Sequence, residues 1–260
     1  MHQPTARHKQ FQDGRLTLIH DRIEHAIHTF DDETFDLILT SPPYWRPRLD
    51  CSDGYDGEIG CEEAMGDYIM ALVPIFNSLS RVLAPHGLLA VVLGDSGHAT
   101  EFGVAFKFAQ GLGGGSFWHF QRELVLIGRS QETDNKSLDH EYVLIFSRSP
   151  FPLRLGAVMQ EDSVIHTNRG FVMSGATHLP MPITAVRQLL ITLVGPPVRD
   201  ASGRALGKHQ SVLDPFAGVG TVGHLAVNLG YSATCVDIDE KNFEVGCAIG
   251  RGEDVKVLER

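Results

Sequence analysis

The sequence predicts one α/β domain built from β-α-β units on an open sheet, and three observations carry that prediction. Short apolar runs alternate with stretches of helical periodicity along most of the 260 residues. One such run, Phe35-Asp36-Leu37-Ile38-Leu39, leads into Thr40-Ser41-Pro42-Pro43-Tyr44-Trp45. Another leads into Asp214-Pro215-Phe216-Ala217-Gly218-Val219-Gly220-Thr221. Ligands of open α/β sheets bind at the carboxyl ends of strands, so both stretches fall where a site is expected.

The elements follow in order. Residues 1 to 14 are polar and read as a poorly ordered arm. Leu16 to His20 alternates as a strand and ends at Asp21, whose carboxylate either meets a ligand or caps the helix Arg22 to Thr29. After Trp45, the segment holding Arg46, Arg48, Gly54, Gly57 and Gly60 is a loop long enough for a lid or binding loop. Arg46 and Arg48 either contact phosphate or belong to a solvated loop.

Glu62 to Leu83 has helical spacing and is stopped by Pro85-His86-Gly87. Leu88 to Leu93 is a buried strand closing at Gly94-Asp95-Ser96, where a turn-forming role suits Asp95. A helix around Val104 to Gln110, a flexible Gly111 to Ser116 and strands near Glu123 to Ile127 and Tyr142 to Phe146 come next, with a polar hairpin loop between those strands. Residues 147 to 178 lack a strong period and read as an irregular insertion, either a small recognition element or a long connection. Ile183 to Val194 is helical, Thr221 to Leu229 is the helix after the glycine turn, Tyr231 to Val236 is a strand ending at Asp237, and Glu240 to Ile249 is helical.

Composition narrows the function classes. The chain is 43% hydrophobic and 21% charged, ordinary for a soluble globular protein. Its N-terminus is polar and no apolar run approaches the roughly 20 residues that span a bilayer, so a cytoplasmic protein without membrane partners is expected. Cys51, Cys61, Cys235 and Cys247 have no Cys-x-x-Cys spacing, which argues for four free thiols and no zinc cluster. The net charge of −10, from 22 basic and 32 acidic residues, counts against a large nonspecific nucleic-acid surface. A polyanion must then be held by local basic patches.

The chemistry starts at the first strand end. Proline has no N–H, so a turn through Pro42 and Pro43 offers carbonyl acceptors with few competing donors. Ser41 adds a hydroxyl, and Tyr44 with Trp45 adds faces on which a planar ring can stack. A flat heterocycle with an exocyclic amine suits that set. The bland alternative is a rigid turn with two half-buried aromatics, although Ser-Pro-Pro-Tyr arises by chance in only about one chain in a thousand of this length.

The second strand end reads as a nucleoside site. Glycines at Gly218 and Gly220 let backbone approach a ligand closely, and Asp237 after the next strand is placed to accept from ribose hydroxyls. Gly218-Val219-Gly220-Thr221-Val222-Gly223 also matches the dinucleotide pattern G-x-G-x-x-G. Two facts oppose a nicotinamide dinucleotide. Asp214 puts a carboxylate where a pyrophosphate is repelled, and the glycine turn comes late in the chain rather than opening the fold.

Together the two motifs resemble the S-adenosylmethionine-dependent DNA amino-methyltransferases of the permuted β group, over roughly residues 14 to 250. Arg81 to Gly87, His140-Glu141-Tyr142 and His178 to Pro182 are similar to the family's intervening landmarks. The resemblance implies a Rossmann-like class I methyltransferase fold with a mixed, mostly parallel seven-stranded sheet, circularly permuted motif order and a small inserted recognition region. It implies S-adenosyl-L-methionine as cofactor. Thr40, Phe216 and Thr221 would flank it, Gly218 and Gly220 would pass its methionine part, Asp214 would face its ammonium, Asp237 its ribose and Asp21 its adenine amine. Phe216 and Tyr44 would also lie near the sulfonium, where aromatic faces attract a cation.

In that family Ser at the first position of the tetrapeptide usually accompanies cytosine N4, so Ser41 favours N4-methylcytosine in double-stranded DNA with the target base flipped. Ser41, Pro42, Pro43 and Tyr44 form the catalytic set, and Trp45, Arg46 and Arg48 the DNA contacts. The rivals are an adenine N6 enzyme on the same scaffold, an RNA methyltransferase, a nicotinamide-dependent oxidoreductase and a catalytically idle nucleic-acid-binding module. So small a recognition region suits a homodimer or a short target, and the residues reveal no cognate restriction endonuclease.

Overall fold

The computed structural model describes residues 6–45, 59–94, 103–129, 138–151, 164–167, 172–173, 181–195, 210–253 and 257–258. Arg46, Arg48, Asp95, His178 and most of the 147–178 segment lie outside them. The first half of the chain gives β1 (Arg7–Phe11), β2 (Leu16–His20), α1 (Ile23–Ala26) with a 3-10 turn (Ile27–Thr29), β3 (Phe35–Thr40), α2 (Met65–Leu79), β4 (Leu83–Leu93) and α3 (Val104–Gly113). The second gives β5 (His119–Arg129), β6 (Leu138–Ser147), β7 (Val164–Thr167), β8 (Val172–Met173), α4 (Ile183–Val194), β9 (Ser211–Asp214), α5 (Thr221–Leu229), β10 (Ser232–Asp237), α6 (Glu240–Gly250) and β11 (Val257–Leu258).

Among the described residues nine strands form one sheet in the order β1-β2-β10-β9-β3-β4-β6-β5-β7, and β8 pairs with β11 separately. The run β2-β10-β9-β3-β4 is parallel throughout. β6 runs against both β4 and β5, β7 is parallel to β5, and β1 is antiparallel to β2. Seven strands were expected; the central seven are there, and one more strand is added at each edge.

Alternation along the buried strands divides the core into two layers. Leu37, Leu39, Leu88, Ala90 and Val92 point to the face covered by α4, α5 and α6. Ile38, Leu89, Val91 and Leu93 point to the face covered by α1, α2 and α3. Strands apolar on both faces belong in the middle of a doubly covered parallel sheet.

Several boundaries depart from the sequence reading. The arm expected over residues 1 to 14 contains β1, because Phe11 packs on Gly250, where a Cβ would come within 2.7 Å of the Phe11 ring. Arg7 adds ion pairs to Glu240 at 2.8 Å and Glu244 at 2.9 Å. α2 stops at Leu79, and Pro85-His86-Gly87 sits inside β4 at an irregularity opposite Asp36. Gly111, expected in a flexible stretch, is within α3 and packs against Ile69 and Val73. Cys61 is disulfide-bonded, whereas Cys235 and Cys247 are free and buried, so the expectation of four free thiols does not hold. Among the described residues no helix is long and apolar enough to cross a membrane.

Candidate active site

Parallel pairing brings the carboxyl ends of β2, β10, β9 and β3 to one edge, because Asp237 registers with His20, Cys235 with Asp214, and Leu213 with Ile38. Thr40 and Asp214 thereby become neighbours. Thr40 Oγ1 donates to Asp214 Oδ1 at 2.7 Å, and both residues are buried. The Phe216 backbone N–H donates to the same oxygen at 3.2 Å.

Burial dominates the titration of Asp214 and pushes its carboxyl up to about 7, a rise that the Thr40 and Phe216 hydrogen bonds oppose and the nearby Asp237 charge reinforces. Near neutrality the group is therefore poised between its acid and its anion. A ligand cation placed beside it would favour the anion.

The glycine turn is held from the next strand. Gly218 N–H donates to Asp237 Oδ2 at 2.6 Å, while Asp239 N–H and Asn242 Nδ2 reach Asp237 Oδ1 at 2.9 and 3.2 Å. Burial raises the Asp237 carboxyl to about 6 despite these donors. Gly218 has φ +54°, and a Cβ there would meet nothing within 4 Å, so the turn borders open space. Gly220, at φ +82°, caps α5, and Thr221 is that helix's first residue. Gly223 serves packing instead, since a Cβ would lie 2.3 Å from Cys235 Sγ.

Asp21 closes the same edge. Its N–H donates to the Asp237 carbonyl at 3.1 Å, and its carboxylate accepts from Arg22 N–H at 2.7 Å and lies 3.2 Å from His25 Nδ1. The carboxylate thus meets the backbone just before α1, but Arg22 is that helix's N-cap and no side chain caps it, so the capping role expected of Asp21 is not seen. Phe216 is half-buried, with its ring 6.0 Å from that of Phe76.

At the end of β3 the turn is braced from three elements. Tyr68 of α2 donates to the Pro43 carbonyl at 2.8 Å. Gly60 lies so close to the turn that a Cβ would be 2.7 Å from the Tyr44 carbonyl oxygen. The Tyr44 hydroxyl donates to Glu141 of β6 and lies 3.5 Å from Ser41 Oγ. Pro42 is buried, and Ser41, Pro43 and Tyr44 are half-buried.

Trp45 corrects an expectation. It was assigned a face for DNA, yet it is 2% exposed, packs in the core with α2, and donates its indole N–H to the Glu62 carbonyl at 2.9 Å. A buried indole needs such a partner, and finding one here turns the ring inward. Sequence reasoning also missed Tyr68, Asn242 and His20, whose Nε2 lies 3.0 Å from the Ile238 carbonyl beside Asp237, and it gave Glu141 no role beyond belonging to one landmark of the resemblance. Nothing in the helical spacing of residues 62 to 83 marks Tyr68 as a hydroxyl donor.

No protein-family model matches the chain. Among curated proteins, the Type II methyltransferase M.SmaI of Serratia marcescens is 44% identical over 71 residues, 27% of this chain and 23% of that protein. M.MwoI of Methanothermobacter wolfeii is 26% identical over 85% of this chain and 31% of its own length. The chain thus spans less than a third of these first relatives. M.Cfr9I of Citrobacter freundii is 24% identical over 85% of this chain and 83% of its own length.

Among solved structures, the M1.HpyAVI–SAM complex aligns with TM-score 0.58 and 13% identity, covering 90% of this chain and 98% of that one. The PvuII DNA methyltransferase, described as cytosine-N4-specific, aligns with TM-score 0.59 and 14% identity over 92% and 93% of the two chains. The chain shares its fold with these two structures.

Proposed function

We propose that this chain is an S-adenosylmethionine-dependent DNA methyltransferase that methylates the exocyclic N4 amine of cytosine at a short target sequence. One observation carries the reading: the Thr40–Asp214 hydrogen bond sets the Ser41-Pro42-Pro43-Tyr44 turn beside the glycine turn at adjacent strand ends. The alignments along most of M.Cfr9I and the fold shared with the PvuII enzyme support it. Open space beside Gly218, flanked by the buried Asp214 and half-buried Asp237 carboxyls, fits a ligand with an ammonium group and ribose hydroxyls.

When bound, this cofactor supplies an electrophilic methyl group. Asp214 would hold its ammonium and Asp237 its ribose, with Gly218 and Gly220 passing close, Thr40, Phe216 and Thr221 flanking it, and Asp21 near its adenine. The chain's remaining task is to present the nucleophile. Ser41 Oγ and the Pro42 carbonyl would accept hydrogen bonds from the flipped base's amine, drawing its lone pair out of ring conjugation. Tyr68 occupies the Pro43 carbonyl and fixes the turn for that purpose. Stacking on Tyr44 would return about 1–3 kcal/mol toward the cost of flipping. Positioning and electrostatics, rather than covalent catalysis, supply the rate, and the displaced amine proton passes to solvent.

The test is to incubate the protein with methyl-labelled S-adenosylmethionine and mixed-sequence duplex DNA, digest to nucleosides and identify the product by mass spectrometry. N4-methylcytosine is expected. N6-methyladenine would keep the cofactor and overturn the assigned base, and absence of transfer to DNA would overturn the reading.

A further inference from the structure

We infer that Glu141 is a positioning residue that fixes the hydrogen-bond polarity of Ser41 through Tyr44, so that the site accepts from an amine and rejects a carbonyl. The inference rests on the proposed function and deepens it by naming what selects an amine-bearing base.

A serine hydroxyl can donate or accept, and a bare Ser41 would tolerate either partner. Here its proton has a destination. Glu141, on β6 and 97 positions from Tyr44, has a carboxylate that is acceptor-only when ionised, so the Tyr44 hydroxyl must point its proton there. The Tyr44 oxygen can then only accept, and Ser41 Oγ, 3.5 Å away, is the donor it faces. The direction Ser41 to Tyr44 to Glu141 leaves the Ser41 lone pairs for an incoming N–H. Burial and the Glu141 charge both hold the Tyr44 phenol well above its ordinary range, which keeps its proton in place.

Gly94 lies at the end of β4, next to β6 in the sheet, and a Cβ there would sit 3.4 Å from Glu141 Cγ and 3.5 Å from Tyr44 Cε2. At those distances an added Cβ would make ordinary van der Waals contact, so Gly94 lies against both groups without excluding a side chain.

The test uses Glu141→Gln, which keeps shape but can donate to the Tyr44 oxygen, and Tyr44→Phe, which removes the middle of the chain. Two arms are read on the full-length protein. In the first, without substrate, tyrosine labelled with 13C at Cζ is observed by NMR and the Tyr44 signal is assigned by its loss in Tyr44→Phe. The signal is expected to shift in Glu141→Gln, and an unchanged signal would overturn the hydrogen-bonded chain itself.

In the second arm, duplexes carrying the methylated site are compared with duplexes in which the target base is replaced by its deaminated, carbonyl-bearing counterpart. Wild-type protein should prefer the amine by about 10- to 100-fold in Kd, the range of a hydrogen bond whose partner is otherwise left unpaired. Both variants should flatten that ratio, and in Glu141→Gln the S-adenosylmethionine affinity should stay within about twofold of wild type. Retained preference in both variants would overturn the inference. A wild-type protein that methylates no DNA would overturn the function reading and the selectivity role with it, and the NMR arm separates that failure from failure of the hydrogen-bonded chain.

Discussion

Thr40 Oγ1 and Asp214 Oδ1 share a buried hydrogen bond of 2.7 Å although 174 positions separate the two residues. It joins the last residue of β3 to the last residue of β9, and thereby ties the turn that would hold the base to the turn that would hold the cofactor. A change on one side of the cleft should be felt on the other.

Thr40→Val should weaken cofactor binding although Thr40 lies next to the base-holding turn. Removing this donor raises the Asp214 carboxyl further, because the bond now opposes its rise. Less of the group is then ionised near neutrality, so the loss should be larger at about pH 6.5 than at about pH 8.5. Calorimetric titration with S-adenosylmethionine at the two pH values reads the difference, and an equal loss at both would show that Asp214 is not involved.

Asp214→Asn should separate stability from binding. The folded carboxyl, at about 7, lies above its unfolded value, so the folded state binds the extra proton between the two. Its contribution to stability is full below the unfolded pKa, near 4, and is lost as pH rises through about 7. Asparagine keeps a neutral oxygen for Thr40 and Phe216, so the ligand-free variant should gain roughly 1–3 kcal/mol over wild type at about pH 8 and little at about pH 5. Denaturant melts at both values check this, and cofactor binding should be lost.

Ser41→Ala should reduce methyl transfer far more than cofactor binding, by about 10- to 100-fold in kcat for loss of one hydrogen bond to the reacting amine. Single-turnover rates alongside equilibrium binding distinguish the two. Equal loss of both would remove Ser41 from the transfer step.

Gly223→Ala should destabilise the fold by about 1–3 kcal/mol through overpacking. The new methyl would lie 2.3 Å from Cys235 Sγ and 2.9 Å from Leu16 Cδ1, and would lift α5 off the sheet. Pairing it with Cys235→Ala should recover part of the loss, because one of the two obstructions is then gone.

What could be read from sequence was what local chemistry controls. The apolar run of β3, the helix α4 between its prolines and the glycine turn into α5 all announce themselves through periodicity and turn residues. β1 did not, since His8, Lys9 and Gln10 carry no apolar signal and the strand owes its place to Phe11 on Gly250 and Arg7 on α6. At the site, the two motifs were visible but their braces were not. Glu141 and Tyr68 reach the Ser41–Tyr44 turn from distant elements, and Trp45 turns inward because of a carbonyl on Glu62, a contact that no neighbouring residue announces.

The sheet order has a consequence for how the protein comes into being on the ribosome. Among the described strands β2 joins the larger sheet through β10, and β10 reaches β3 through β9, so the two strands that link the parts of this sheet come after all its others in chain order. Until residues 211–237 emerge, the β1–β2 hairpin and the β3–β7 block have no strand between them. Such long-range parallel pairing is slow, and it leaves two sheet edges open for chaperones to shield in the meantime. The candidate site, which draws on β3 from one part and on β9 and β10 themselves, would therefore form only when the two parts close on those strands.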